Sequence, residues 1–229
     1  MSCMIFGTTG LCGKEILKCA EQLSLLTNII SVTRRPFDSK NVKVEQIIEK
    51  DVHRWKNIIT EKRPNVVFCS LATTRAAAGS AQAFVDVDYY LNLEIAKAAK
   101  DAGTHTFVLI SAIGADANSL FLYFKTKGRL EDAILDLKFP RTIILRPGPL
   151  LGPRDKSKGF MNDLSMIFFK PLHGNCIGRN LFHPIYGSEV GKVAVQLAVT
   201  PLIHVDDSVV KIVGALDLSR IANSITFLS

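Results

Sequence analysis

The sequence predicts an α/β fold: a doubly wound, mostly parallel sheet covered by helices on both faces. Three observations carry this. Short apolar runs alternate with segments of 3.6-residue period, the runs are apolar almost throughout, and glycines cluster where the first run meets the first periodic segment. A chain of 229 residues suits one α/β core with a small appendage. We therefore expect a single domain over 1–229 in which 153–187 is a substrate-side insertion.

The expected strands are CMIF at 3–6, NIISVT at 28–33, VEQIIE at 44–49, NVVFCS at 65–70, TFVLIS at 106–111 and TIILRP at 142–147. A strand apolar on both faces must be covered on both faces, which is the condition of a parallel sheet between helical layers. Helical period marks 11–26, 80–102, 119–137 and 188–199. After Gly152, the residues Pro153, Gly159, Pro171, Gly174, Gly178 and Pro184 interrupt the regularity. Irregular late segments in open α/β folds cover the crevice beyond the strand ends, which places 153–187 beside a substrate. The tail predicts an edge strand near His204 and a terminal helix.

Composition narrows the function classes. The net charge of +7 suits an anionic partner such as a phosphorylated cofactor or an acidic membrane surface. Lys and Arg are scattered, with no basic run interleaved with aromatics, so nucleic-acid binding is not expected. Cys3, Cys12, Cys19, Cys69 and Cys176 are odd in number, lack a C-x-x-C pair and mostly sit among apolar residues, the pattern of buried thiols in a reducing compartment. His53, His105, His173, His183 and His204 show no metal-ligand spacing, and no metal is expected. No apolar run reaches the roughly 18 residues that span a bilayer. With the first strand under way by Met4, no charged signal region or Arg-rich presequence is expected before it.

FGTTGLCG joins the first strand to the first helix and spaces Gly7, Gly10 and Gly13 three apart. Gly7 permits the tight turn, Gly10 lets backbone approach a pyrophosphate, and Gly13 lets helix and strand pack closely, with Thr9 and Leu11 in the same loop. In this position the spacing suits the dinucleotide-binding loop of a Rossmann fold, with a purely structural turn as the alternative. The second strand ends SVTRRP, where Arg34 and Arg35 offer positive charge to a 2′-phosphate in place of the acid that selects NAD. NADPH is therefore the expected cofactor. Asp38 lies past that position and would serve NAD only if the loop folds back. Asp51, after the third strand, is a candidate for the adenine amino group, with a helix cap as its alternative role.

YFKTK places Tyr123 and Lys127 one turn apart on one helix face, where the ammonium favours phenolate. Ser111 ends a predicted parallel strand, at the edge where open α/β sheets hold ligands, so Ser111, Tyr123 and Lys127 are expected to converge. Asn92, on the preceding long helix, is a candidate to hold a water linking Lys127 to solvent.

The glycine loop, Ser111 and Tyr123-x-x-x-Lys127 resemble the short-chain dehydrogenase/reductases. LATTRAAAG at 71–79, YFKTKG at 123–128, RPGPLLG at 146–152 and PIYGSEV at 184–190 are similar to an atypical branch of that family. That branch includes the human Tat-interacting oxidoreductase and a fungal group found in the mitochondrial proteome. The resemblance covers roughly residues 4–200. It implies an NADPH-dependent carbonyl reductase in which Tyr123 is the general acid, Lys127 tunes it and holds the nicotinamide ribose, and Ser111 binds the carbonyl oxygen. It further implies that Leu71, Ala72 and Thr73 lie beside the cofactor and that Pro147 and Gly148 border the nicotinamide. A peripheral place on the cytoplasmic face of the outer mitochondrial membrane is also implied for the fungal members. Ala112 stands where relatives often carry a second Ser. The alternative function is a non-catalytic NADP-binding regulator or adaptor, and the long helices at 80–102 and 119–137 offer a homodimer face.

Overall fold

The computed structural model describes residues 1–39, 41–152, 183–201 and 208–225. Strands β1 (Ser2–Phe6), β2 (Asn28–Thr33), β3 (Val44–Ile48), β4 (Val66–Cys69), β5 (Thr106–Ile110), β6 (Arg141–Arg146) and β9 (Val209–Gly214) form one sheet. Its order is β3-β2-β1-β4-β5-β6-β9, and every junction is parallel. The doubly wound arrangement expected from the sequence is the one found. A separate two-stranded ladder pairs β7 (Leu150–Leu151) with β8 (Ile185–Tyr186).

Strand geometry distributes the core. Cys3 and Ile5 of β1 join one apolar layer and Met4 and Phe6 the other, because successive side chains leave opposite faces of a strand. The first layer is covered by α1 (Leu11–Gln22), α7 (Gly187–Val199) and α8 (Ala215–Ser224), through Ile16, Val193 and Leu218. The second is covered by α2 (Trp55–Lys62), α5 (Asn92–Asp101) and α6 (Leu122–Leu135), through Ile59, Ile95 and Leu130. Arg141, buried at the start of β6, donates to the carbonyls of Leu197 and Ala198 at 3.1 and 3.2 Å. A cation there satisfies the last carbonyls of α7 and complements its dipole.

The departures have local causes. Helix α1 stops at Gln22 because Leu23 turns to extended backbone, and Leu26 is buried in the core ahead of β2. Strand β3 mixes half-buried and exposed residues, as an edge strand does, rather than being buried throughout. The helical stretch at 80–102 is not uniform: α4 (Ala81–Val85) passes into a π-helical turn, Asp86–Leu91, before α5. Helices α2 and α3 (Arg75–Ala78) also stand between strands. The last strand lies at Val209–Gly214, and His204 is outside the described residues, as is 153–182 of the expected insertion. Of the remainder, Ile185 and Tyr186 form β8 and Gly187 opens α7.

Candidate cofactor crevice and Tyr-Lys site

The strand order reverses direction between β1 and β4, and open sheets hold ligands at the carboxyl ends of such strands. A crevice lies there, lined by Gly7, Thr9, Val32, Thr33, Arg34, Arg35, Trp55 and Leu71. Gly7 has φ +91°, and a Cβ on it would meet Ser70 Oγ at 2.7 Å. The loop therefore has no room for side chains where β1 and β4 adjoin. Gly10 precedes α1, no side chain caps that helix end, and no acid occupies its first turn. A bare helix amino end with exposed backbone is a site for an anion.

Arg34 and Arg35 are exposed at the end of β2 and line the crevice. Beside them Thr33 is 4% exposed, and its hydroxyl has no hydrogen-bond partner among the described residues. A buried orphan hydroxyl facing a cleft is the kind of group a ligand satisfies, and sequence reasoning passed over it. The glycines, the uncapped helix, the arginines and Thr33 thus fit a dinucleotide. Asp51 does not line the crevice: its carboxylate accepts from the His53 amide at 3.0 Å and caps the 3₁₀ turn Val52–Arg54. The adenine role expected for it gives way to the cap. Leu11 follows Gly10 in the loop, but its side chain packs against Gly152 and Gly187, so only its backbone remains for a phosphate.

Leu71 lines the crevice, Ala72 is exposed, and the Thr73 amide donates to Asp88 Oδ2 at 2.8 Å. Pro147 and Gly148 are buried after β6, and the Pro147 carbonyl accepts from the Ile113 amide at 2.8 Å.

Tyr123 lies in the first turn of α6, 41% exposed, its ring against Phe84 at 6.0 Å between centroids. Gly128 explains how the helix is held. A Cβ there would stand 2.2 Å from the Ala117 nitrogen, so the loop following Ser111 lies directly on α6. Lys127 is 1% exposed, and its ammonium lies 2.8 Å from Asp88 Oδ1, a residue 0% exposed on the π-helical turn. That oxygen is in charge contact without an aligned hydrogen bond. Asp88 was missed because an acid two residues from Asp86 reads as ordinary helix surface; no local pattern announces a π turn.

The electrostatics differ from expectation. Burial raises the Tyr123 pKa above its ordinary value, Lys127 lowers it, and Asp88 raises it again. Desolvation outweighs the ammonium, which already faces a carboxylate, so Tyr123 is held as phenol. Lys127 pulls Tyr123 toward phenolate as expected, but burial outweighs that pull.

Two further residues take partners that the sequence did not foresee. The Ser111 hydroxyl is buried and donates to the Glu131 carboxylate, which also takes the Arg146 guanidinium at 2.5 Å. In this arrangement its single proton goes to Glu131. Asn92 is 0% exposed; its amide donates to the Val87 carbonyl at 2.8 Å, and its oxygen accepts from the Cys69 thiol at 2.9 Å. It stitches the π turn to β4. Burial pushes the Cys69 thiol up to about 12, consistent with that donor role.

Residues 23–167 match the HIM1 family model. The "Protein FMP52, mitochondrial" of Debaryomyces hansenii is 45% identical over 231 residues, covering 98% of this chain and 100% of the relative. The chain belongs to the FMP52 family. The FMP52 protein of Saccharomyces cerevisiae is 43% identical, covering 86% of this chain and 87% of its own. FMP52 relatives are named mitochondrial, and their names state no activity. Among solved structures, MoeE5 in complex with UDP-glucuronic acid and NAD superposes with TM-score 0.69 at 14% identity, covering 94% of this chain and 76% of that one. UDP-glucose 4-epimerase of Thermotoga maritima gives 0.66 at 15%, covering 98% and 82%. The FMP52 chain therefore has the fold of these enzymes. Among the described residues, no helix is long and apolar enough to cross a membrane.

Proposed function

We propose that this FMP52-family protein is an NADPH-dependent carbonyl reductase of the short-chain dehydrogenase/reductase type. The observation that carries the reading is the glycine-lined, arginine-flanked crevice; the partly exposed Tyr123, whose helix partner Lys127 is fixed by a buried carboxylate, is taken to face the same cleft. Solved neighbours of the same fold are described in complex with NAD, which supports a nicotinamide dinucleotide. Arg34 and Arg35 favour the 2′-phosphate form.

In this reading Gly7, Gly10 and the amino end of α1 hold the pyrophosphate, Thr33 meets the ribose side, and Leu71 and Thr73 flank the bound molecule. The cofactor supplies hydride to a carbonyl carbon. Tyr123, held as phenol, binds the carbonyl oxygen and gives it a proton as charge develops. Lys127 orients the ribose and steadies the phenolate left behind. Ser111 belongs to the scaffold that fixes α6 against β5 and β6.

A second reading has its own observation: the commitment of Ser111 to Glu131 removes one oxygen donor, which suits a non-catalytic NADP-binding adaptor. Screening NADPH oxidation against aldehydes, ketones and quinones separates the two. Turnover supports the reductase; tight NADPH binding with no oxidation across the panel favours the adaptor. Kinship to the human Tat-interacting oxidoreductase, a homodimer through the helices at 80–102 and 119–137, and peripheral attachment to the outer mitochondrial membrane belong to the same proposal. Flotation with anionic vesicles tests the attachment, since binding driven by the +7 charge weakens as salt rises.

A further inference from the structure

Asp88 stands where three parts of the molecule meet. One carboxylate oxygen accepts from the Thr73 amide at 2.8 Å, fixing the loop that leaves β4 beside the crevice. The other lies 2.8 Å from the Lys127 ammonium. Both charged side chains are sealed from water, at 0% and 1% exposure. The backbone around Asp88 is a π-helical turn, a rare winding that recurs at functional sites, and it is secured by the Asn92 amide on the Val87 carbonyl. No side chain other than Lys127 neutralises Asp88 among the described residues.

We propose that Asp88 is a positioning residue for Lys127: its buried carboxylate ties the ammonium to the crevice loop and balances the charge that Lys127 presents to Tyr123. The inference deepens the reductase reading and rests on Tyr123 acting as its acid. An uncompensated ammonium one turn away would draw Tyr123 toward phenolate, the form that cannot protonate a carbonyl oxygen. With Asp88 in place the phenol persists. The groups acting on Tyr123 are Lys127 from its own helix and Asp88 from the π turn, while the Cys69 thiol of β4 senses both charges and Phe84 of α4 offers only its ring.

The test is tyrosine titration followed by NMR in nucleotide-free, full-length protein carrying ¹³Cζ-tyrosine, with the Tyr123 signal assigned by its loss in Tyr123→Phe. Asp88→Asn keeps the shape and an acceptor for Thr73 but removes the charge, and should move the Tyr123 midpoint down by about one pH unit or more. Asp88→Glu keeps the charge and should stay within about half a unit of wild type. A merely structural Asp88 predicts the reverse, with Asn harmless and Glu disruptive. Wild-type titration in Asp88→Asn overturns the proposal, and so does a downward shift of a unit in Asp88→Glu. Should Asp88→Asn fail to fold, Asp88→Glu decides by the same criterion. Because no turnover is read, failure here is separate from failure of the reductase assignment, which the substrate panel decides.

Discussion

Gly13 stands so close to Gly7 that a Cβ on Gly13 would lie 2.1 Å from the Gly7 carbonyl oxygen. Helix α1 thereby presses its first turn onto the strand-end loop with no side chain between them. Gly13→Ala must push the two segments apart. We expect a stability loss of roughly 1–3 kcal/mol, the range for overpacking, together with loss of measurable NADPH binding. Thermal unfolding and nucleotide fluorescence titration check both, and unchanged nucleotide affinity would contradict this account of the loop.

Arg34 and Arg35 set the expected preference between phosphorylated and unphosphorylated cofactor. A charge-assisted contact to a phosphate contributes about 1.5–3 kcal/mol, so Arg34→Ala/Arg35→Ala should weaken NADPH by roughly 10- to 100-fold and leave NADH within about threefold. Calorimetric titration of both nucleotides measures this. Equal weakening of the two would assign the arginines to general steering.

The fold and the crevice were legible in the sequence because both rest on short-range patterns. Apolar runs of strand length marked β1, β2, β4, β5 and β6, and glycine spacing marked the loop. Asp88, Glu131 and Thr33 were not legible, since their roles come from partners distant in sequence. Asp88 meets Lys127 across 39 positions, and Glu131 joins Ser111 and Arg146 from two different strand ends. Distant partners also occupy the hydrogen bonds of Ser111 and Asn92, whose residue types suited catalysis.

Ser111→Ala therefore tests what the Ser111 hydroxyl does. Removing the hydroxyl leaves Glu131 with Arg146 and should cost about 1 kcal/mol of stability, with kcat within roughly threefold of wild type. Urea denaturation and steady-state kinetics read the two effects. A hundredfold drop in kcat with NADPH affinity intact would restore Ser111 as an oxygen donor.

The pH dependence of reduction follows from the sign of the Tyr123 shift. Its pKa is raised from the ordinary value of 10.0, and the protonated form is the acid. Tyr123 therefore stays competent through neutral pH, and its contribution is lost only as pH rises past the ordinary tyrosine range. A kcat/KM profile at saturating NADPH should show no loss near pH 7 that disappears on replacing Tyr123.

The most direct measurement is NADPH binding and NADPH oxidation in Tyr123→Phe beside wild type, with a carbonyl substrate drawn from the panel. The account predicts unchanged NADPH affinity and a loss of oxidation rate of roughly 10²- to 10⁴-fold, the usual contribution of a positioned general acid. Oxidation at the wild-type rate in Tyr123→Phe would contradict it.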